Sequence, residues 1–262
     1  MVRTPDPPPA ATTRWLLERG VRVPRLGPAG GGVYLCQDFG DRHLSHDPRP
    51  AAYEQVMAFE ERIGTGTLPP GHPNARLALD EALFRKELRM FREWYVQAFR
   101  RRAHAPVEAD RVDALCARLA VEASLGPARL QHRDFHSRNV LLPAEGGPVL
   151  LDHQDLRRGP LFYDLASLLT DAYLDLPGDI RARLEAEAEA LGARHGLTRV
   201  ETRERLRITA LQRVLKALGT FGHQLARFGN RRYEPAARRA RPIALVLLSE
   251  SPAYEPLKEW IA

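Results

Sequence analysis

Residues 131–142, QHRDFHSRNVLL, are the stretch that decides the fold. They contain the motif H-R-D-x-x-x-x-N, in which Asn139 follows Asp134 by five residues. Residues 148–151, PVLL, then form a short apolar run that ends in Asp152. Short apolar runs bounded by turn residues are typical of buried strands. We therefore predict a loop between two apolar strands that gathers three oxygen-bearing side chains.

This spacing is typical of the loop that carries out phosphoryl transfer. In that chemistry a carboxylate receives the proton of the acceptor hydroxyl, and metal ions neutralise charge on the phosphate oxygens. Asp134 is the candidate catalytic residue. Asn139 and Asp152 are the candidate ligands of Mg²⁺, which prefers oxygen ligands. His132 is interpreted as a structural residue that hydrogen-bonds the backbone and shapes the loop.

A metal-dependent hydrolase is the alternative that the same stretch allows, because several potential ligands lie close together in the sequence. These are His132, Asp134, His136, Asp152, His153 and Asp155. Alternating ligands of this kind are typical of two-metal hydrolases. The Asn139 spacing, the strand that follows it and the lack of further ligand clusters in the sequence favour phosphoryl transfer.

The composition argues against several classes of protein. Of the 262 residues, 44% are hydrophobic and 27% are charged, which is ordinary for a globular domain. The net charge is +6, but only three of the 39 basic residues are lysines, and the arginines scatter among acidic residues. We therefore expect no nucleic-acid partner. The sequence has no apolar run near the roughly 18 residues that a membrane span needs, and it shows no export signal. We therefore expect a cytoplasmic protein without a membrane partner. We also expect a monomer.

Apolar residues at steps of three and four predict that most of the chain is helical. The predicted helices span residues 12–19, 50–63, 76–102, 112–120, 163–173, 179–195, 198–228 and 243–248. Residues 33–36 are predicted to form a brief strand, and one strand pair carries the candidate site. We divide the chain into residues 1–40 and residues 41–262, with the candidate site in the second part.

Beyond the single motif, residues 132–142 followed by LLDHQDLRRGPLFYDLASLL at residues 150–169 resemble the aminoglycoside/choline-kinase-like phosphotransferases. Within that family they are most similar to the bacterial anomeric N-acetylmuramate/N-acetylglucosamine kinases. LRMFREWYVQAF at residues 88–99 and LQRVLKALGTFGHQLA at residues 211–226 fit the same branch. The resemblance extends from about Leu35 to the C-terminus.

The resemblance implies an α+β, two-lobed, protein-kinase-like fold with a mostly helical C-terminal lobe. It implies ATP-dependent, Mg²⁺-dependent phosphorylation of a sugar hydroxyl, at the anomeric position of N-acetylmuramate or N-acetylglucosamine in cell-wall recycling. Asp134 would be the catalytic base in contact with the substrate, and Asn139 and Asp152 would hold the metal and the nucleotide. The other implied contacts are an adenine-binding hinge at Leu35, Gln37 and Phe39, a sugar pocket near Asp155, Glu87 and Trp94, and a structural anchor at Asp164.

The N-terminus departs from the family pattern. A complete small lobe carries a β-hairpin and a phosphate-pairing basic residue before the hinge, whereas only 32 residues precede Val33. We therefore expect a truncated N-terminal lobe without its first hairpin, and weak nucleotide binding. His153 also stands where this branch usually has Phe. Two alternatives stay open: an aminoglycoside or choline-type small-molecule kinase, and an inactive, pseudokinase-like binding module.

Overall fold

The computed structural model describes residues 2–3, 10–30, 33–101 and 106–262, and it describes the side chains of residues 10–27, 35–101 and 109–262. Within these ranges, no helix combines the length and the apolar character needed to cross a membrane.

The N-terminal part contains a three-stranded antiparallel sheet with the order β1-β3-β2. Its strands are Val2–Arg3 (β1), Leu26–Gly30 (β2) and Val33–Cys36 (β3). Helix α1, Ala10–Glu18, lies between β1 and β2 in the sequence, and the chain turns at Gly20 with a positive φ of 69°. The predicted helix at residues 12–19 and the predicted strand at residues 33–36 are both present.

The rest of the described chain is mostly helical. Its α-helices are α2 (Pro50–Gly64), α3 (Glu81–Met90), α4 (Pro106–Ser124), α5 (Tyr163–Leu169), α6 (Gly178–Arg194), α7 (Arg199–Phe228), α8 (Glu234–Ser249) and α9 (Lys258–Ile261). Two hydrophobic cores hold them together. One core joins α3, α4, α7 and α8, and the other joins α1, α2, α5 and α6 around the candidate site.

Two strand pairs, rather than the single predicted pair, frame the candidate site. The predicted pair is β5 (Val140–Leu141) with β6 (Val149–Leu150), and it is antiparallel. The second antiparallel pair is β4 (Ala128–Gln131) with β7 (Arg157–Pro160). The prediction missed this pair because ARLQ and RRGP contain no β-branched or aromatic residue, which are the usual signals of a strand.

The start of the predicted helix at residues 76–102 is wrong. Helix α3 begins only at Glu81, because the side chain of Asp80 caps it and accepts the backbone N–H of Leu83 at 2.9 Å. The residues before Asp80 bond instead with the backbone of Arg158 in β7, which ties α3 to the second strand pair.

The second half of the same predicted helix is a π-helix, Phe91–Phe99. Helix α7 passes close to it at Gly219 and Gly222. A Cβ atom at Gly219 would lie 2.6 Å from the backbone nitrogen of Phe91, and one at Gly222 would lie 2.6 Å from the Cα of Tyr95. Because the opposing atoms belong to the backbone, no rotamer change makes room for a side chain, and glycine is what permits this approach.

Two other predicted helices have different bounds. Helix α5 ends at Leu169 instead of residue 173, because the chain turns where the carboxylate of Asp171 accepts the backbone N–H of Tyr173 at 2.8 Å. The apolar residues 243–248 belong to the C-terminal half of the longer helix α8.

The contact between α7 and the π-helix gives a test of the fold. We expect Gly219→Ala and Gly222→Ala each to lower the free energy of unfolding by about 1–3 kcal/mol, the usual cost of overpacking a core. Urea denaturation measures this. Gly178→Ala is the matched control, because a Cβ atom there meets nothing within 4 Å. Equal midpoints for the Gly222 and Gly178 variants would contradict the close approach.

Candidate active site

The loop between β4 and β5 is held at its start by Asp164, in the first turn of α5. The backbone N–H groups of His132 and Arg133 donate to its two carboxylate oxygens at 2.5 and 3.1 Å. The backbone N–H of Asp164 in turn donates to the side-chain oxygen of Gln131 at 3.1 Å. Burial raises the pKa of Asp164 to about 6, although the two N–H bonds act to lower it. The loop therefore starts from a fixed position beneath α5.

The second half of the loop is held by Asp171, just beyond the end of α5. Its carboxylate accepts the backbone N–H of Ser137 at 2.6 Å. Burial raises the pKa of Asp171, while its hydrogen bonds with Ser137 lower it. Sequence analysis missed this residue, because an Asp that follows an apolar helix is equally typical of an exposed helix end.

Asn139 and Asp152 are brought together by the β5–β6 pair. The side-chain amide Nδ2 of Asn139 donates to the backbone oxygen of Asp134 at 2.9 Å, and its backbone oxygen accepts the N–H of Leu151 at 2.8 Å. Asp152 follows in the left-handed conformation, with a φ of 50°. Burial and the negative charge of Asp134 raise its pKa. The ring Nε2 of His132 donates to the backbone oxygen of Leu151 at 2.9 Å, which places His132 under the same turn.

The carboxylate of Asp134 faces two cations from α7. The ammonium of Lys216 donates to its Oδ1 at 2.6 Å, and the guanidinium of Arg213 lies 3.8 Å from the same oxygen. Burial alone would raise the pKa of Asp134, but the charges of these two residues outweigh it and hold the pKa well below its usual range. Sequence analysis named neither cation, because both lie on the side of α7 away from its predicted apolar face, where charged residues are usually exposed to solvent.

Asp134, Asn139 and Asp152 line one cleft of about 470 Å³, which we call the outer cleft. Lys216, Tyr173 and Tyr233 also line it. The two carboxylates thus border a shared space together with Asn139. This is the arrangement on which the sequence interpretation depends.

Glu87 and Asp155 lie beside the loop and share Arg133 as a partner. The guanidinium of Arg133 donates to Asp155 and, at 3.2 Å, to Glu87. The other carboxylate oxygen of Glu87 accepts from Gln212 of α7 at 2.9 Å. Asp155 also accepts from Arg157 at 2.8 Å. Glu87 is buried with both oxygens bonded, so it supports Arg133 and does not face the outer cleft.

Trp94 lies apart from these residues, on the π-helix. Its ring contacts the ring of His223, with 4.6 Å between centroids, and the guanidinium of Arg227 lies over it. Among the described residues, Trp94 is not part of the lining of the outer cleft.

The predicted hinge residues lie next to the β5–β6 pair. Leu35 and Gln37 are exposed, and the ring of Phe39 is covered by the guanidinium of Arg22 at 4.8 Å. The backbone oxygen of Arg22 accepts the N–H of Leu150 in β6 at 2.8 Å. Arg22 therefore links Phe39 to β6, the strand that precedes Asp152.

The metal-hydrolase alternative finds no support in this geometry. His132 bonds a backbone oxygen, His153 hydrogen-bonds the hydroxyl of Thr13 at 2.7 Å, and Asp155 is occupied by arginines. Within the described part of the chain, no three His, Cys, Asp or Glu side chains are placed to hold one metal ion.

Residues 10–208 match the phosphotransferase enzyme family. The chain is 31% identical over 173 residues to an N-acetylmuramate/N-acetylglucosamine kinase of Pseudomonas aeruginosa, covering 60% of this chain and 47% of that protein. It is 30% identical over 226 residues to a kinase of the same name from Pseudomonas putida, covering 83% of this chain and 61% of that protein. The chain thus spans about half the length of the curated relatives it matches.

The fold matches solved kinase structures. A microcompartment-associated aminopropanol kinase superposes with a TM-score of 0.60 at 17% identity, covering 97% of this chain and 85% of that one. At this identity the likeness concerns the fold alone. It confirms the predicted α+β, kinase-like fold with a mostly helical C-terminal lobe.

The anchoring of the loop by Asp164 can be measured as stability. Asp164→Asn keeps the shape of the side chain but turns an N–H₂ group toward one of the two backbone donors. We expect the free energy of unfolding to fall by about 1–3 kcal/mol, because a buried N–H is then left without an acceptor. Chemical denaturation measures the loss. Asp175→Asn, at a side chain that is 91% exposed, is the control and should change the free energy little. A loss no larger than that of the control would contradict the anchoring role.

Proposed function

The chain belongs to the phosphotransferase enzyme family, and on that premise we propose that it is a kinase that transfers the γ-phosphoryl group of ATP to a sugar hydroxyl. The proposed substrates are N-acetylmuramate and N-acetylglucosamine, and the proposed acceptor is the anomeric hydroxyl. The names of the curated relatives support this substrate class. Asp134, Asn139 and Asp152 all lie within residues 10–208, the region that matches the phosphotransferase enzyme family, which supports phosphoryl transfer.

The convergence of Asp134, Asn139 and Asp152 on one cleft is the observation that carries this proposal. In the proposed reaction the acceptor oxygen attacks the γ-phosphorus while the bond to the β,γ-bridging oxygen breaks. ADP leaves with that electron pair, and the hydroxyl proton passes to Asp134. Phosphoryl transfer goes through a loose transition state, so a carboxylate of low pKa serves mainly to orient the hydroxyl and receives the proton late.

The side chains of Asn139 and Asp152 offer oxygen atoms that fit a magnesium ion. Because Nδ2 of Asn139 is bonded to the backbone, its Oδ1 is the atom left to bind a cation. The carboxylate of Asp152 has no hydrogen-bond or ion-pair partner among the described residues. Mg²⁺ is usually held by one or two such groups together with phosphates and water. When bound, the ion would neutralise charge on the phosphate oxygens.

The adenine end of the nucleotide is proposed to lie at Leu35, Gln37 and Phe39. Two contacts of Arg22 support this: its guanidinium lies over the ring of Phe39, and its backbone oxygen accepts the N–H of Leu150, two residues before Asp152. In this proposal residues 1–40 form the nucleotide-facing part and residues 41–262 supply the catalytic residues.

The sugar is proposed to enter from the side of Tyr173 and Tyr233. Asp155 is proposed to contact the sugar from the side of the loop, near Arg133. His223, the ring partner of Trp94, lies seven residues beyond Lys216 on α7, or roughly 10 Å along the helix axis. We therefore place Trp94 at the outer wall of the sugar site.

Substrate profiling tests the proposed function. We expect Mg–ATP-dependent phosphorylation of N-acetylmuramate or N-acetylglucosamine, with the product detected as an anomeric phosphate by ³¹P NMR, and no comparable turnover of choline or kanamycin. Turnover of choline or kanamycin in preference to the sugars would identify one of the other small-molecule kinases. Mg–ATP binding without turnover of any of the four would favour an inactive binding module.

The role of Asp134 predicts a large loss of activity on substitution. Asp134→Asn keeps an oxygen for Lys216 but cannot receive the hydroxyl proton. We expect kcat to fall by about 10²–10⁴-fold, as for the loss of a general base. A coupled ADP-release assay measures this beside Asp175→Asn, which should match the wild type. An Asp134 variant with kcat within threefold of the wild type would exclude the proposed role.

The metal role of Asp152 has its own readout. We expect Asp152→Ala to weaken metal binding, seen as loss of bound Mn²⁺ in electron paramagnetic resonance titrations with ADP present. It should also raise the Mg²⁺ concentration needed for half-maximal activity by roughly tenfold or more, as for loss of a group that supports a metal site. Asp179→Ala, at the start of α6, is the control. Unchanged Mn²⁺ binding in the Asp152 variant would remove this residue from the metal site.

A further inference from the structure

Lys216 lines the outer cleft but has no role in the reaction as proposed above. Its ammonium lies 2.6 Å from Oδ1 of Asp134, and its side chain is 14% exposed. We propose that Lys216 is a catalytic residue whose ammonium binds the phosphoryl group during its transfer while it holds Asp134 in place. This inference rests on the proposed kinase function and adds a residue to it.

The cleft contains other cations, but they have different partners. Arg133 is bonded to Asp155 and Glu87. The guanidinium of Arg138 lies over the ring of Tyr173 at 4.9 Å. Arg213 lies over the ring of Tyr163 at 4.9 Å and donates to its hydroxyl at 3.3 Å. Of these cations, the ammonium of Lys216 therefore lies closest to Oδ1 of Asp134, the oxygen to which the acceptor hydroxyl would bind.

The hydrogen-bonding capacity of Lys216 is only partly used. An ammonium group carries three N–H donors. Among the described residues, Lys216 donates one of them, to Asp134. The remaining donors are free to bind phosphoryl oxygens without breaking the contact with Asp134. The ammonium also borders a smaller cavity of about 80 Å³ behind Asp134, so it lies at the inner end of the outer cleft.

The choice of lysine supports a role for the ammonium itself. The chain has only three lysines among 39 basic residues. Lys86 and Lys258 lie elsewhere, on α3 and α9, and Lys258 pairs with Glu255 at 3.0 Å. A guanidinium is planar and larger, whereas an ammonium is a compact point charge on a flexible stem. In a chain that is rich in arginine, the cation that hydrogen-bonds Asp134 is thus a compact ammonium group.

Among the described residues, Lys216 and Arg213 are the cations within 4 Å of the Asp134 carboxylate. Burial lowers the pKa of His132 to about 4 and that of His136 to about 3, so both rings are neutral near pH 7. The phosphoryl oxygens would add negative charge beside Asp134. The ammonium of Lys216 is placed to neutralise part of that charge. Such fixed charge at the site of transfer stabilises the transition state.

The proposed step moves no additional proton. The acceptor oxygen bonds to the γ-phosphorus, the bond to the bridging oxygen of ADP breaks, and the hydroxyl proton goes to Asp134, as above. Lys216 keeps its three protons throughout and contributes charge and two hydrogen bonds.

The test compares Lys216→Met, which removes the charge at similar length, with the wild type and with Lys86→Met as the matched control on an exposed helix face. We expect kcat to fall by about 10²–10³-fold, the usual loss for one donor to a transition-state oxygen. The KM for the sugar should stay within threefold, and the Lys86 variant should match the wild type. The affinity for Mg–ADP with aluminium fluoride, a mimic of the transferring phosphoryl group, should fall at least tenfold in Lys216→Met, while the affinity for Mg–ADP alone should stay within threefold.

A lysine that only positions Asp134 would leave both of these affinities unchanged. A kcat within threefold of the wild type, or a loss confined to KM, would overturn the proposal. If Lys216→Met does not fold, Lys216→Gln and Lys216→Arg decide instead. Loss of more than 100-fold in the Gln variant, with more than a tenth of kcat kept by the Arg variant, supports the charge role, and wild-type kcat in the Gln variant overturns it. Absence of any phosphorylation by the wild-type chain would instead count against the proposed function.

Discussion

The candidate site depends on two buried carboxylates that bond backbone N–H groups. Asp164 accepts from His132 and Arg133, and Asp171 accepts from Ser137. Burying a carboxylate is costly unless its oxygens are bonded, and both residues show that cost as a raised pKa. Asp164 lies in the first turn of α5 and Asp171 lies just beyond its end, and the side chains of α5 are buried along its length. The loop is therefore fixed at two points to one rigid helix, and Asp134 lies between those points.

The two carboxylates that face the outer cleft have pKa values shifted in opposite directions by their surroundings. Asp134 is paired with Lys216 and stays ionised, whereas burial and the charge of Asp134 raise the pKa of Asp152. Carboxylates whose pKa values are pushed apart by their surroundings commonly have different roles. A divalent cation would favour the charged form of Asp152, since metal binding requires the deprotonated carboxylate. Asp152 thus suits a metal ligand, and Asp134 suits a permanently charged group that orients a hydroxyl.

Local patterns in the sequence were sufficient for the loop motif and for most helices, because both depend on spacing along the chain. They were insufficient for β4 and β7, whose residues have little intrinsic preference for strands and pair only because the loop and α3 bring them together. They also missed Lys216, because its partner Asp134 lies 82 residues away and only tertiary packing joins them. Glu87 and Trp94 lie on one predicted helical face, but the change to a π-helix at Phe91 alters the spacing between them. Glu87 consequently bonds Arg133, and Trp94 faces His223.

Helix α7 connects these features. It supplies Lys216 to Asp134 and Gln212 to Glu87, and Glu87 in turn holds Arg133 of the loop. The position of α7 is set by its close approach to the π-helix at Gly219 and Gly222, the first of which follows Lys216 by less than one turn. A change in that approach would move the ammonium relative to a loop that α5 holds still. Because hydrogen bonds weaken steeply with distance and misalignment, the contact between Lys216 and Asp134 would respond to such a shift before the fold as a whole did. The packing of α7 against the π-helix, at residues that do not line the outer cleft, thus determines the electrostatics within it.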